Sequence, residues 1–439
     1  MVEIKKLDLY SEPETLFEGL EIEKYVIGTY SMMLPGTMDI IMISKALCIE
    51  QSTGTWTPVP EETPEVRKRH VAKVVNIWEI PDWTYEVPKE EKKYRNYVFQ
   101  IAYPWENFGP KLSMMFSTIM GNISMAGPIK LMDIYFPKSF LQYFKGPKFG
   151  IEGIRKILNV PERPLVNNMI KPCVYTDPKI GAKLAYEVAM GGCDVIKDDE
   201  LLANTDFNTI EERVTLFMEA LDKAKSETGE KALYTVNITD EAKATLKNAE
   251  RVQELGANAI MINFLTAGWS IFRDIAEDPS IKIPILGHMD FSGVLYEGTH
   301  NGVALPIVLG KLPRLIGSDM TIFPAPYGKA PILPERYYQT WKHLVYPMGH
   351  IKPSFPMPSG GITVGMVEKL VNDCGLDVII AAGGGIHAHP DGPRAGAKAF
   401  RQAIEAVMKG ISVKEFAKDH KELGVALGTW GTGKTMPKV

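Results

Sequence analysis

Residues Gly191-Gly192-Cys193-Asp194-Val195-Ile196-Lys197-Asp198-Asp199-Glu200 pass without a turn residue from a short apolar run into one lysine and three carboxylates. Asp199 and Glu200 are hard oxygen donors of the kind Mg²⁺ prefers. Lys197 can neutralise them or, once modified chemically to an anion, join them as a ligand. The same residues could form a solvated acidic turn ahead of a helix. What favours a metal site is position, because the run closes a strand in the repeating pattern below, and a parallel barrel collects its catalytic side chains at strand carboxyl ends.

That pattern starts after Gly146-Pro147-Lys148-Phe149-Gly150. Apolar strand candidates at 165–170, 193–196, 232–238, 259–263, 283–287, 320–323, 351–356 and 378–382 alternate with segments carrying a helical apolar stripe, such as Ile210-Val214-Phe217-Leu221. Eight such units predict an α/β fold, a parallel (β/α)8 TIM barrel over 146–410. Upstream, strands at 25–30, 70–78 and 97–103 and helices at 37–48 and 108–120 predict an N-terminal α+β, ferredoxin-like domain over 1–145. A short helical extension over 411–439 follows, with a helix at 413–423 and a flexible Gly/Thr/Lys-rich tail. The tail's Gly428 to Thr435 carries phosphate-loop letters without the strand-to-helix setting that such a loop needs.

The other strand ends are polar as well: Lys171 after strand one, Asn237 after three, Asn263 after four and His288 after five. Ser359-Gly360-Gly361 and Gly383-Gly384-Gly385 follow strands seven and eight, where such barrels bind phosphate through backbone N–H groups. Either cluster alone could be a tight turn; the two together favour phosphate. Strand six leads into Pro324-Ala325-Pro326-Tyr327-Gly328-Lys329-Ala330-Pro331, which reads either as a lid that swings a lysine over substrate or as a proline-stiffened surface loop. In the N-terminal domain, Glu50-Gln51-Ser52-Thr53-Gly54-Thr55-Trp56 and Gly121-Asn122 read by themselves as caps and turns.

Together these residues suit one chemistry. A divalent ion chelates adjacent oxygens of a substrate and stabilises an enediolate, while Lys171 takes the α-proton if burial and nearby positive charge lower its pKa. The phosphate cradle orients the substrate. A net charge of -4 and the lack of a basic cluster interleaved with aromatics speak against nucleic acid. With no signal-peptide pattern and no long uncharged apolar run, the expected location is the cytoplasm, away from membranes. The 4 cysteines lack CxxC spacing, so neither a zinc site nor a disulfide framework is expected.

The motifs resemble the large chain of RuBisCO over nearly the whole sequence. Gly191 to Glu200 matches the family's GGxDxxKDDE, and the resemblance implies that a carbamate formed from CO₂ on Lys197 binds Mg²⁺ with Asp199 and Glu200. Lys171 in its IKP context matches the proton-abstracting lysine, Lys329 after Gly328 the lid lysine, and His288 the strand-five histidine. Ser359, Gly360 and Gly361 match the SGGI motif, and Gly383 and Gly384 the second phosphate-binding glycine run. Glu50, Thr55 and Trp56 resemble the ESSTGTW loop and Asn122 the GN pair, which in the family complete the partner subunit's site and so imply an obligate homodimer.

The departures are specific. A second active-site lysine is lost to Cys173, the HR pair has become His288-Met289, and Ile322 stands where the family has a phosphate-binding histidine. A phosphate dianion beside methionine and isoleucine would lack charge partners, so the expected substrate is a sugar monophosphate. This pattern resembles RuBisCO-like proteins of form IV, whose characterised members are enolases or isomerases of methylthio-sugar phosphates in methionine and sulfur salvage. Two alternatives stand beside that reading: a carboxylase with a divergent second phosphate site, and a non-catalytic scaffold or sensor.

Overall fold

The computed structural model describes residues 13–432 apart from 56, 58, 81–93 and 331. The Trp56 assignment and the end of the tail therefore lie outside the described residues. By internal contacts the chain forms two compact units, one of residues 1–144 with 293–308, the other of 145–292 with 309–439.

The first unit is a mixed sheet. Strands β1 (Tyr25–Pro35), β2 (Lys73–Ile80), β3 (Tyr94–Pro104) and β4 (Ile129–Tyr135) are antiparallel neighbours in the order β4-β1-β3-β2. On β1, buried Val26, Tyr30, Met32 and Leu34 alternate beyond position 28 with less buried residues, the period expected of a sheet with one covered face. The three expected strands are present, the first and third longer than foreseen and the second displaced to 73–80, while β4 was missed, because Ile129-Lys130-Leu131-Met132-Asp133 breaks clean alternation.

The second unit is the barrel: β5 (Leu165–Met169), β6 (Val195–Lys197), β7 (Leu233–Asn237), β8 (Ala259–Asn263), β9 (Ile285–His288), β11 (Met320–Pro324), β12 (Phe355–Ser359) and β13 (Ile379–Ala382). They pair in parallel in the order β12-β11-β9-β8-β7-β6-β5-β13, and β12 and β13 lie side by side to close the cylinder. Inward residues such as Leu165, Val195, Leu233, Met261, Met320, Ile322 and Met357 make one core, plugged by Ile151, Ile154 and Leu158 of the helix Gly150–Leu158. Asp319, just ahead of β11, fastens the plug by accepting from the backbone N–H of Phe149 (2.6 Å), Gly150 (2.9 Å) and Ile285 (3.0 Å). The plug thus seals the amino ends of the strands and leaves the carboxyl ends for chemistry.

The remaining strand, β10 (Gly302–Val303), leaves the barrel sequence and pairs in parallel with β4 of the first unit. Two sequence expectations are corrected. The seventh barrel strand runs from 355 to 359 rather than from 351, because Ile351 closes a turn on Met348 and the Ser354 N–H is taken by Leu344. The C-terminal helix is two, Val413–Phe416 and Lys421–Trp430, interrupted at Asp419-His420. Among the described residues, no helix is long and apolar enough to cross a membrane.

Candidate active site

Strand β6 is short and wholly buried, and Lys197 at its end has no exposed side-chain surface. The chain then divides its three carboxylates between two sides of the barrel wall. Asp198 turns outward, accepting from Tyr234 Oη (2.8 Å) and the Asn237 N–H (3.0 Å), with Arg213 Nε at 3.3 Å. Asp199 and Glu200 turn inward.

At the mouth, Lys197 Nζ donates to Glu200 Oε2 (2.8 Å) and to the Asp198 carbonyl (2.7 Å). Lys171 Nζ donates to Asp199 Oδ2 and to Cys173 Sγ (3.2 Å). His288 Nε2 lies 3.3 Å from Glu200 Oε2. Burial alone would raise the Glu200 pKa, but the Lys197 ammonium and His288 outweigh it and hold the group down at about 2. His288 is pushed down to about 3 by burial and by Lys197, so its ring is neutral near pH 7. Lys171 departs from expectation. Burial lowers its pKa, yet the Asp199 carboxylate against it more than compensates, and the net shift is upward.

The glycines meet this cluster from the other side. A Cβ on Gly383 would lie 3.0 Å from Lys171 Cε, so the lysine lies flat on a backbone that only glycine leaves open. The run after β12 borders the run after β13, where a Cβ on Gly385 would meet the Ile362 carbonyl. Ser359 is the buried last residue of β12, Gly360 and Gly361 have φ of 100° and 81°, and nothing lies within 4 Å of where a Cβ would stand on Gly360 or Gly384. The Lys329 N–H donates to the Gly360 carbonyl (2.7 Å), and a Cβ at Gly328 would run into that oxygen, so the strand-six loop rests on the first glycine cluster.

Thus Lys171, Lys197, Asp199, Glu200, His288 and Gly383 converge, with Lys329 tied through its backbone to Gly360. Glu50, Thr55 and Asn122 lie in the first unit, where Asn122 Nδ2 donates to Glu50 Oε1 (3.4 Å). Met289 and Ile322 both pack on the barrel core. Sequence reasoning missed Arg213 and Asp290. An arginine inside the stripe of Ile210, Val214 and Phe217 was a readable sign of a buried carboxylate partner, and Asp290 stood one residue beyond the His288-Met289 pair.

Residues 150–330 and 336–430 match the family described as ribulose bisphosphate carboxylase large chain, catalytic domain, and residues 20–140 match its N-terminal domain. A ribulose bisphosphate carboxylase-like protein of Archaeoglobus fulgidus is 58% identical over 411 residues, covering 93% of this chain and 94% of that protein. A 2,3-diketo-5-methylthiopentyl-1-phosphate enolase of Bacillus licheniformis is 38% identical over 411 residues, covering 92% and 98%. The solved structure of a dimeric archaeal Rubisco from Hyperthermus butylicus aligns with a TM-score of 0.85 at 31% identity, covering 97% of this chain and 100% of that one. With both domains matched and relatives that span it almost end to end, the chain belongs to the RuBisCO large-chain family.

Proposed function

We propose that the protein is an enolase- or isomerase-type enzyme without carboxylase activity. On this reading it removes a proton beside a carbonyl of a sugar monophosphate, a sulfur-containing one of the kind handled in methionine salvage. One juxtaposition carries the reading: the Lys171 amine lies against Asp199 on one side and the bare backbone of Gly383 on the other. A base, a metal ligand and a phosphate-cradle glycine thereby share one small space.

The donor set fits a divalent ion. Asp199 and Glu200 are each neutralised by a lysine amine, and conversion of the Lys197 ammonium to a carbamate would leave three anionic groups, which a dication offsets. Lys197, Asp199 and Glu200 would hold Mg²⁺, which when bound supplies charge stabilisation to an enediolate oxygen. With Asp199 engaged by the ion, Lys171 would lose the carboxylate that raises its pKa, and burial, which lowers it, would favour a neutral Nζ able to accept an α-proton. Ser359, Gly360, Gly361, Gly383 and Gly384 orient the single phosphate, and Lys329 covers it. Met289 and Ile322 offer a second phosphate no charge. His288 orients Glu200.

The enzyme named for the B. licheniformis relative supports this substrate class, and the dimeric archaeal Rubisco supports a homodimer in which Glu50, Thr55, Trp56 and Asn122 serve the partner's site. Four free thiols suit the cytoplasm. The test is proton exchange in D₂O with Mg²⁺ and bicarbonate, using 2,3-diketo-5-methylthiopentyl 1-phosphate and related methylthio-sugar phosphates. Deuterium should enter next to the carbonyl, and Lys171→Met should slow entry by about 10²- to 10⁴-fold. No exchange with any of them, or labelled CO₂ entering ribulose bisphosphate, would sink the reading.

A further inference from the structure

Asp290 takes no part in the chemistry above. Around the barrel mouth the charges otherwise pair off, Lys171 with Asp199 and Lys197 with Glu200. The Asp290 side chain is 38% exposed, and among the described residues its only ion-pair partner is His288, with Nδ1 3.7 Å from Oδ1. A half-buried carboxylate therefore stands near Glu200 with no lysine or arginine paired to it among the described residues.

Glu200, His288 and Asp290 each offer a ligand atom, all within 4.8 Å of one another. His288 lies between the carboxylates, Nε2 towards Glu200 and Nδ1 towards Asp290. Nδ1 accepts from the Asp290 N–H (3.3 Å), so the ring proton lies on Nε2, facing Glu200, and Nδ1 is the nitrogen whose lone pair an ion would take. An independent observation comes from β8. Asn263, opposite His288 in the strand register and 7% exposed, reaches the Glu200 carbonyl with Nδ2 (3.4 Å), while its buried Oδ1 has no partner. Such an orphaned acceptor needs a donor or a cation.

We propose that Glu200, His288 and Asp290 form a divalent-cation site that fills without CO₂, distinct from the Lys197-Asp199-Glu200 set, with Asn263 Oδ1 accepting from metal-bound water. An imidazole with two carboxylates suits Mn²⁺, Co²⁺ or Zn²⁺ better than Mg²⁺. The two sets share Glu200, so Lys197 must release it for this site to fill. The inference does not rest on the enolase reading.

The test is a Mn²⁺ titration of the full-length protein, free Mn²⁺ being followed by electron paramagnetic resonance. In CO₂-depleted buffer the wild type and Asp199→Asn should both bind Mn²⁺. Asp290→Asn should weaken that binding by at least about tenfold. Lys197→Met, which cannot form a carbamate, should still bind if it folds; Asp290→Asn alone suffices if it does not. Failure of the CO₂-depleted wild type to bind, or unchanged binding by Asp290→Asn, overturns the proposal. Binding that appears only with bicarbonate and vanishes in Asp199→Asn would do the same while leaving the carbamate reading intact.

Discussion

Lys171 and His387 illustrate how burial acts on single groups at this mouth. Lys171 keeps its proton because a carboxylate outweighs desolvation. His387 loses its proton because burial, with Lys171 nearby, pushes its pKa down from 6.5 to about 4, and its Nε2 lies 3.1 Å from Asn168 Oδ1. The unfolded chain thus binds a proton between those values that the folded one does not. The stability held by this group is complete above pH 6.5 and is lost as pH falls through about 4. His387→Gln should flatten the decline in melting temperature over that window, removing at most about 3 kcal/mol of pH dependence. An unchanged profile would show that the ring is not buried neutral.

Elements decide which residues can meet. The strand-six loop rests on Gly360 through one backbone hydrogen bond and a contact with no room for a Cβ. Gly328→Ala should therefore lower turnover by about tenfold or more, since small misplacements of a covering group are costly, while the melting temperature stays near that of wild type. A large drop in stability would mean that the loop is part of the core.

The barrel was legible because its eight strands are buried apolar runs between amphipathic helices, a pattern that side-chain period alone announces. The charged run after β6 was legible because it sits at a strand end. Strand seven was misplaced because Ile351 continues the apolar run while Pro353, Pro356 and Pro358 blur where pairing begins. The outward turn of Asp198 was hidden, since the choice among three adjacent carboxylates is made by Tyr234, Asn237 and Arg213 from distant segments. Asp290 was overlooked because a lone acidic residue after a strand signals nothing until Glu200 is seen beside it.

For the molecule as a whole, the proposed homodimer makes a test by mixing possible. If Glu50 serves the partner's site, neither Glu50→Gln nor Lys171→Met dimers are active, yet a refolded equimolar mixture should regain about a quarter of wild-type exchange, because one site in each mixed dimer carries neither change. No recovery would place Glu50 in its own chain's site, and activity of the Glu50→Gln dimer by itself would place it outside any site.

The path of the chain also limits how it can be divided. Residues 293–308 leave the barrel sequence to lay β10 against β4, and Lys130 Nζ, 4% exposed, is capped there by the carbonyls of Tyr296 (2.8 Å) and Gly298 (2.5 Å). A cut at 144 would leave the first fragment with a buried ammonium that has lost these two acceptors and an open β4 edge. The second fragment would carry a β-strand with nothing to pair with, a surface that invites self-association. Made separately, the halves should self-associate and precipitate; made together, they should reassemble like an enzyme nicked at 144.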